Sequence, residues 1–336
     1  MVPLVLMLPL LALVPFFCVD AGPGWPSMIR DRFLLVLAWS AAGVLAWFEP
    51  GLGLFAMVVL CHWRRPEGVS AVVTVGAGIG LYLAARMLPV DLFPLVTWII
   101  VLGVTGQVLL AMVQMGLAMG SGASWHVVRE AARGTVGNRV VLGCLCAMAW
   151  PLATIWWIAP VLLGLALTRS FSALVSAAVA AVVLWPALWW AVGVVGVLGW
   201  MGMQYRRPTP VAGMHSRLVL ALLCLRQLRR AGWRERLLGF GAGAFFRRAK
   251  WWMSNRQTVE LFKHAHNDAV QGAFEWGLLG LTGGVLFAGS LLWQGGLGQP
   301  MTAALAAVAV NALFQFPLHL PQVLVPALVL AGMIGR

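Results

Sequence analysis

The chain has 336 residues, of which 61% are hydrophobic and only 10% charged, and its mean hydropathy is +0.90. A soluble domain carries about 25% charged residues, so this composition excludes an ordinary soluble protein. The formal net charge of +13 suits phosphate groups or anionic lipid headgroups; no recognisable nucleic-acid-binding fold accompanies it, so nucleic acid is not an expected partner.

Crossing the hydrocarbon core of a bilayer takes about 20 apolar residues per helix. Uncharged runs of that order recur at 3–19, 70–85, 92–120, 140–168, 171–204, 276–310 and 311–335. Backbone inside lipid must satisfy its own hydrogen bonds, so the spans are helices. A barrel would need alternating polarity, and these runs are continuously apolar. The expected fold is all-α: one polytopic integral membrane domain over 1–336, with about 10–12 transmembrane helices. The first run lacks a basic flank, and Cys18 precedes Val19-Asp20 rather than a small-residue cleavage site. It therefore reads as a retained span, not a signal peptide. Breaks follow at 20–32, 62–68 and 88–91, and a polar connector covers 121–139. Beyond it the apolar run is interrupted only at Thr168-Arg169-Ser170. An arginine so placed is either a functional cation or a helix-end anchor.

The one long polar stretch covers 205–275 and holds 13 of the 23 Lys and Arg residues but only four acids. From Arg217 to Arg236, Leu218, Leu222, Leu225 and Leu228 recur near helical spacing with arginines between them. That pattern predicts an amphipathic helix suited to a membrane surface. A glycine-rich turn follows at Gly239–Phe245, and Trp251-Trp252 beside Lys250 suit an interfacial anchor. The five cysteines form no CxxC pair and read as small buried hydrophobes.

The residues best suited to chemistry close this stretch: His264-Ala265-His266-Asn267-Asp268, then Gln271 and Glu275. Asn267 or Asp268 is the expected N-cap of the helix that follows. Asn267, Gln271 and Glu275 are four apart and share a face. His266 then lies at the positive end of the helix dipole, which disfavours imidazolium. A neutral imidazole beside a cationic loop is what a general base for a hydroxyl nucleophile requires. His264, His266 and Asp268 also fit a metal-ligand set or a structural cap. Gln271 and Glu275 either pair with arginines to orient the loop or mark the membrane interface.

The ordered set of motifs resembles the O-antigen ligase/polymerase superfamily. His266-Asn267, nine residues, then Gly277-Leu278-Leu279-Gly280 is similar to its His-Asn-x9-Gly-x-x-Gly motif, with His264, Asp268 and Glu275-Trp276-Gly277 at the accompanying positions. Gly239–Phe245 resembles its Gly-x-Gly-x-Gly-x-Phe turn, and Ser216-Arg217 its Ser/Gly-Arg element. Gly134–Arg139 and Phe314–Pro321 are similar to two further stretches, so the likeness covers about 130–336 in order.

That resemblance implies a class C glycosyltransferase. Such an enzyme passes a glycan from an undecaprenyl-pyrophosphate carrier to an acceptor glycolipid or growing glycan, without a nucleotide sugar, cofactor or metal. His266 would be the catalytic base, and Arg217 would bind the pyrophosphate. His264, Asn267, Gln271 and Glu275 would support substrate binding. The family's Ser-Arg-Gly/Ala junction reads Thr168-Arg169-Ser170-Phe171 here, with the arginine displaced by two positions. Two positions are about 200° on a helix, so Arg169 serves the donor only where the junction is unwound. The positive-inside rule alone would put the 205–275 loop in the cytoplasm, but it weakens for loops above about 60 residues. The resemblance places that loop on the periplasmic side of the inner membrane. Ligation, polymerisation and protein O-glycosylation share the motif, and a non-catalytic membrane subunit would share the fold.

Overall fold

The computed structural model describes residues 49–61, 68–124, 138–190, 211–254 and 264–336, with positions 42, 43, 45, 127, 128, 131, 133–136, 193, 194 and 197. For 61, 68–70, 211–217 and 250–254 it describes the backbone alone. The expected first span at 3–19, the break at 20–32, most of the break at 62–68 and the side chains of Trp251 and Trp252 lie outside the described residues.

The described chain is all-helical, with no strand. Its helices are α1 (Pro50–Cys61), α2 (Gly68–Arg86), α3 (Phe93–Gly120), α4 (Arg139–Ala149), α5 (Ile155–Thr168), α6 (Phe171–Leu184), α7 (Val211–Arg230), α8 (Trp233–Leu238), α9 (Ala244–Ser254), α10 (Asp268–Gly295), α11 (Pro300–Ala312) and α12 (Pro321–Ile334). Among the described residues, two segments are long and apolar enough to cross a membrane, Val90–Gly120 and Asp268–Gly295. At 1.5 Å per residue, the 11- to 14-residue helices α4, α5, α6, α11 and α12 fall short of a core about 30 Å thick.

The chain divides into two compact units, one from Met1–Leu83 with Ser216–Ser290, the other from Ala84–His215 with Leu291–Arg336. In the first, small residues let backbones meet. A Cβ on Gly51 would strike the backbone of α10 at Gly283 and Phe287, and one on Gly283 would strike α1 at Gly51 and Phe55. Such glycine-on-glycine crossings are the usual means of close helix approach in lipid. Tyr82 of α2 is fully buried, donates 2.9 Å to the buried Glu49 and sets its ring edge-on to Phe287. A second core gathers α7, α9, α10 and the turn before α9 around Leu220, Cys224, Phe240, Phe245 and Phe274.

In the other unit α3 to α6, α11 and α12 run back and forth as a bundle. Its core holds Val108, Leu142, Cys146, Val161, Ala307 and Leu330. The Gly298 N–H donates 2.7 Å to the Val183 carbonyl, joining the start of α11 to the end of α6. At the opposite ends of those helices the Phe171 and Phe314 rings meet edge-on, 6.5 Å apart. Arg336 donates to the carbonyls of Arg86 and Leu88 and lies over Phe93. One end of this unit therefore carries Arg169 and 314–320, and the other carries Arg336. The connector is tied to the first end by two glutamines of α3. Gln114 accepts from the Gly134 N–H at 2.9 Å and donates to its carbonyl at 3.1 Å, and Gln107 accepts from the Thr135 N–H at 2.8 Å.

Candidate functional site

In the first unit the site is built on a helix start. Asn267 is the N-cap of α10: its Oδ1 accepts from the Val270 N–H at 2.9 Å, and its carbonyl accepts from the Gln271 N–H at 3.0 Å. This resolves the two expected caps in favour of Asn267. Asp268 becomes the first helical residue, buried and favourably placed against the positive dipole end. His266, directly before the cap, has φ +54. A left-handed histidine costs about 1–3 kcal/mol and persists only when its surroundings fix it.

Those surroundings are two buried side chains. The Ala265 N–H donates 3.0 Å to Gln271 Oε1, and Gln271 Nε2 donates 3.4 Å to Glu275 Oε1. The same Glu275 oxygen accepts from the Phe245 N–H at 3.2 Å. The shared face expected of Gln271 and Glu275 thus becomes a polar relay from α9 to the peptide between His264 and His266. Neither residue lies at a solvent interface; both are buried. His264, His266 and Asp268 do not converge as a metal-ligand group.

The glycine pattern has a definite cause. Gly277 has φ 67 and ψ −172, and Gly239, at the end of α8, has φ 80 and ψ −177. Only glycine occupies that region readily. The break at Gly277 frees the carbonyls of Phe274 and Glu275 from the helical ladder. They accept instead from the Phe240 N–H at 2.9 Å and the Gly241 N–H at 2.8 Å. A Cβ on either Gly277 or Gly239 would collide with the backbone of the other segment. The glycine-rich turn therefore mates to the kink.

Above this junction the Arg248 guanidinium lies 3.9 Å from the Phe240 ring centroid and 3.4 Å from Gln227 Oε1. In the sequence Arg248 is one of the 13 cations of the 205–275 stretch. Only the GxGxGxF phenylalanine preceding it, Phe245, and the internal Phe240 hinted at an aromatic seat. Arg217 lies on α7, and its side chain is outside the described residues. The amphipathic helix is observed over Val211–Arg230, but its inward face is Leu220, Leu223, Cys224 and Leu228. Of the four expected leucines, Leu218, Leu222 and Leu225 are exposed. Burial pushes the Cys224 thiol up to about 12, with the Glu275 carboxylate adding to the rise.

In the second unit, α5 ends at Thr168 and Arg169 turns left-handed, φ 47 and ψ 33, with an exposed side chain. Ser170 caps α6 by accepting from the Ala173 N–H at 3.4 Å. The junction is thus unwound at Arg169, which is the condition for its displaced guanidinium to face outward. Among the described residues, Arg169 and His266 are the two non-glycine residues at positive φ. No protein-family model matches the chain, and no curated protein matches it.

Proposed function

We propose that this chain is a polytopic bacterial inner-membrane glycosyltransferase of the O-antigen ligase/polymerase type, with the 205–275 loop facing the periplasm. It passes a glycan from an undecaprenyl-pyrophosphate carrier to an acceptor hydroxyl, with ligation to a glycolipid the favoured form. Membrane residence is supported by the outward faces of the long helices. Only 28% of the most apolar window in Val90–Gly120 and 22% of that in Asp268–Gly295 are buried. Core helices of soluble proteins are mostly buried, and Leu95, Ile99, Val113 and Leu117 of α3 face outward instead. Exposed apolar surface on that scale belongs in lipid.

The single observation that carries the chemistry is the left-handed His266 at the α10 start, fixed by the buried Gln271–Glu275 relay. The helix dipole opposes a positive charge there. The His266 imidazole takes the proton of the acceptor hydroxyl as its oxygen attacks the anomeric carbon. The bond to the carrier oxygen breaks, and the pyrophosphate leaves with the electron pair and the added negative charge. Arg217 is assigned to that charge, because a guanidinium fork matches phosphate oxygens. Attack opposite the leaving group inverts the anomeric centre.

The test is complementation of strains lacking either the ligase or the polymerase, with His266→Ala and Arg217→Ala as variants. Restored glycan banding in one strain assigns the reaction, and both variants should abolish it. Banding that survives both substitutions would remove the proposed chemistry.

A further inference from the structure

At the Arg169 end of the second unit, α4, α11 and the segment leading to α12 border a small recess, open at its mouth and with room for a single water-sized group. Its polar lining is three carboxamides: Asn138, Asn311 and Gln315. Asn138 is the N-cap of α4, with Oδ1 accepting from the Val140 N–H at 2.8 Å. Asn311 differs. It is fully buried in the last turn of α11, and neither its Oδ1 nor its Nδ2 has a hydrogen-bond partner among the described residues. A buried carboxamide with both functions open is rare in native proteins and calls for a partner from outside.

The chemistry of that partner follows from the two open atoms. A group meeting both must donate to Oδ1 and accept from Nδ2. Phosphate and carboxylate only accept, and ammonium only donates; a hydroxyl does both. The apolar wall of Val141 and Cys144 admits little else that is polar.

α4, which lines the cleft, also packs against the junction that carries Arg169. Gly143, between Val141 and Cys144 on α4, sits so close to the junction that a Cβ would come 2.9 Å from Thr168 Oγ1 and 3.3 Å from Ser170 Cβ. Phe171, the first residue of α6, meets Phe314, next to Gln315. An exposed guanidinium and a hydroxyl-seeking carboxamide thus occur at one end of one bundle.

We propose that Asn311 is a sugar-binding residue: its carboxamide, in the cleft with Asn138 and Gln315, takes a hydroxyl of the glycan whose diphosphate is answered by Arg169. This rests on the glycosyltransferase reading and adds a glycan subsite to it.

The experiment compares two probes on the full chain in detergent: farnesyl diphosphate, and farnesyl diphosphate bearing one N-acetylglucosamine. Unfolding midpoints are recorded alongside. Asn311→Leu removes both polar atoms, so the free protein should be as stable as wild type or more so. Affinity for the sugar-bearing probe should fall about five- to tenfold, the loss of one or two neutral hydrogen bonds, while farnesyl diphosphate binds within about twofold of wild type. Arg169→Ala should weaken both probes alike. Asn311→Ala serves if the leucine does not fold. Equal loss on both probes, or a more stable variant binding both unchanged (an internal water only), overturns the inference and leaves the transferase reading standing. Wild-type protein that binds neither probe overturns both.

Discussion

Replacing Gly277 with alanine should destabilise the α7–α10 core, whereas replacing Gly272, five residues earlier on the same helix, should stabilise it. At φ 67 and ψ −172 an L-residue costs about 1–3 kcal/mol. The new Cβ would also strike the Leu237 carbonyl and the Gly239 amide, backbone atoms that cannot swing aside as a side chain does. Separating the segments puts at risk the bonds from Phe240 and Gly241 to the carbonyls of Phe274 and Glu275, each worth about 1 kcal/mol net. The sum for Gly277→Ala is about 3–5 kcal/mol. Gly272 is helical with open space before its Cβ, so Gly272→Ala should gain about 0.5–1 kcal/mol. Unfolding of the detergent-solubilised protein, followed by tryptophan fluorescence, reads both. Shifts of the same sign, or a loss below about 1 kcal/mol for Gly277→Ala, would refute the mated-turn account.

Glu275→Leu should cost about 2–5 kcal/mol by stranding the Phe245 N–H and Gln271 Nε2, whereas Glu275→Gln, which keeps an acceptor, should lose less than half of that in the same unfolding assay. Gln114→Leu should release the connector at Arg133-Gly134 at a cost of about 2–3 kcal/mol, seen as faster proteolysis there. Burial pushes the Cys224 thiol up from an ordinary 9.0 to about 12. Its folded value is raised, so its contribution to stability is intact below pH 9 and is lost as pH climbs from 9 toward 12. Iodoacetamide at pH 8 should therefore label Cys224 only after unfolding, as mass spectrometry of the peptide will read.

The apolar runs made the helical class legible, and four-residue spacing made the Gln271–Glu275 pair legible. The sequence did not disclose which face of α7 turns inward. Leucines spaced like Leu218, Leu222 and Leu225 usually mark the buried face; here Leu220 and Cys224 pack on Phe240 and Phe274 instead. A helix bordered by protein on one side and suited to lipid on another is apolar on both, and periodicity cannot rank the two. Gly277 was legible as a motif position, but not as the place where α10 releases two carbonyls. That role depends on a partner turn some 38 positions earlier, Gly239. Asn311 carries no local signal in the sequence, being one amide within an alanine-rich run; only burial singles it out. Gln107 and Gln114, seven apart in a spanning-length helix, carried a readable signal, two polar side chains on one stripe.

Residue type and position single out His266 and Arg169 in the sequence, and both occupy left-handed turns in the fold. Glycine would adopt either turn at lower cost, by about 1 kcal/mol. Such strain survives where the side chain itself is used and the surroundings hold it in place. At His266 the holding is explicit: the amide of the preceding residue is bonded to a buried glutamine, itself bonded to a buried glutamate. At Arg169 it comes from α5 ending at Thr168 and Ser170 capping the next helix, so the turn between them has one residue in which to reverse. In both cases neighbouring residues, rather than the residue's own backbone preference, fix the turn.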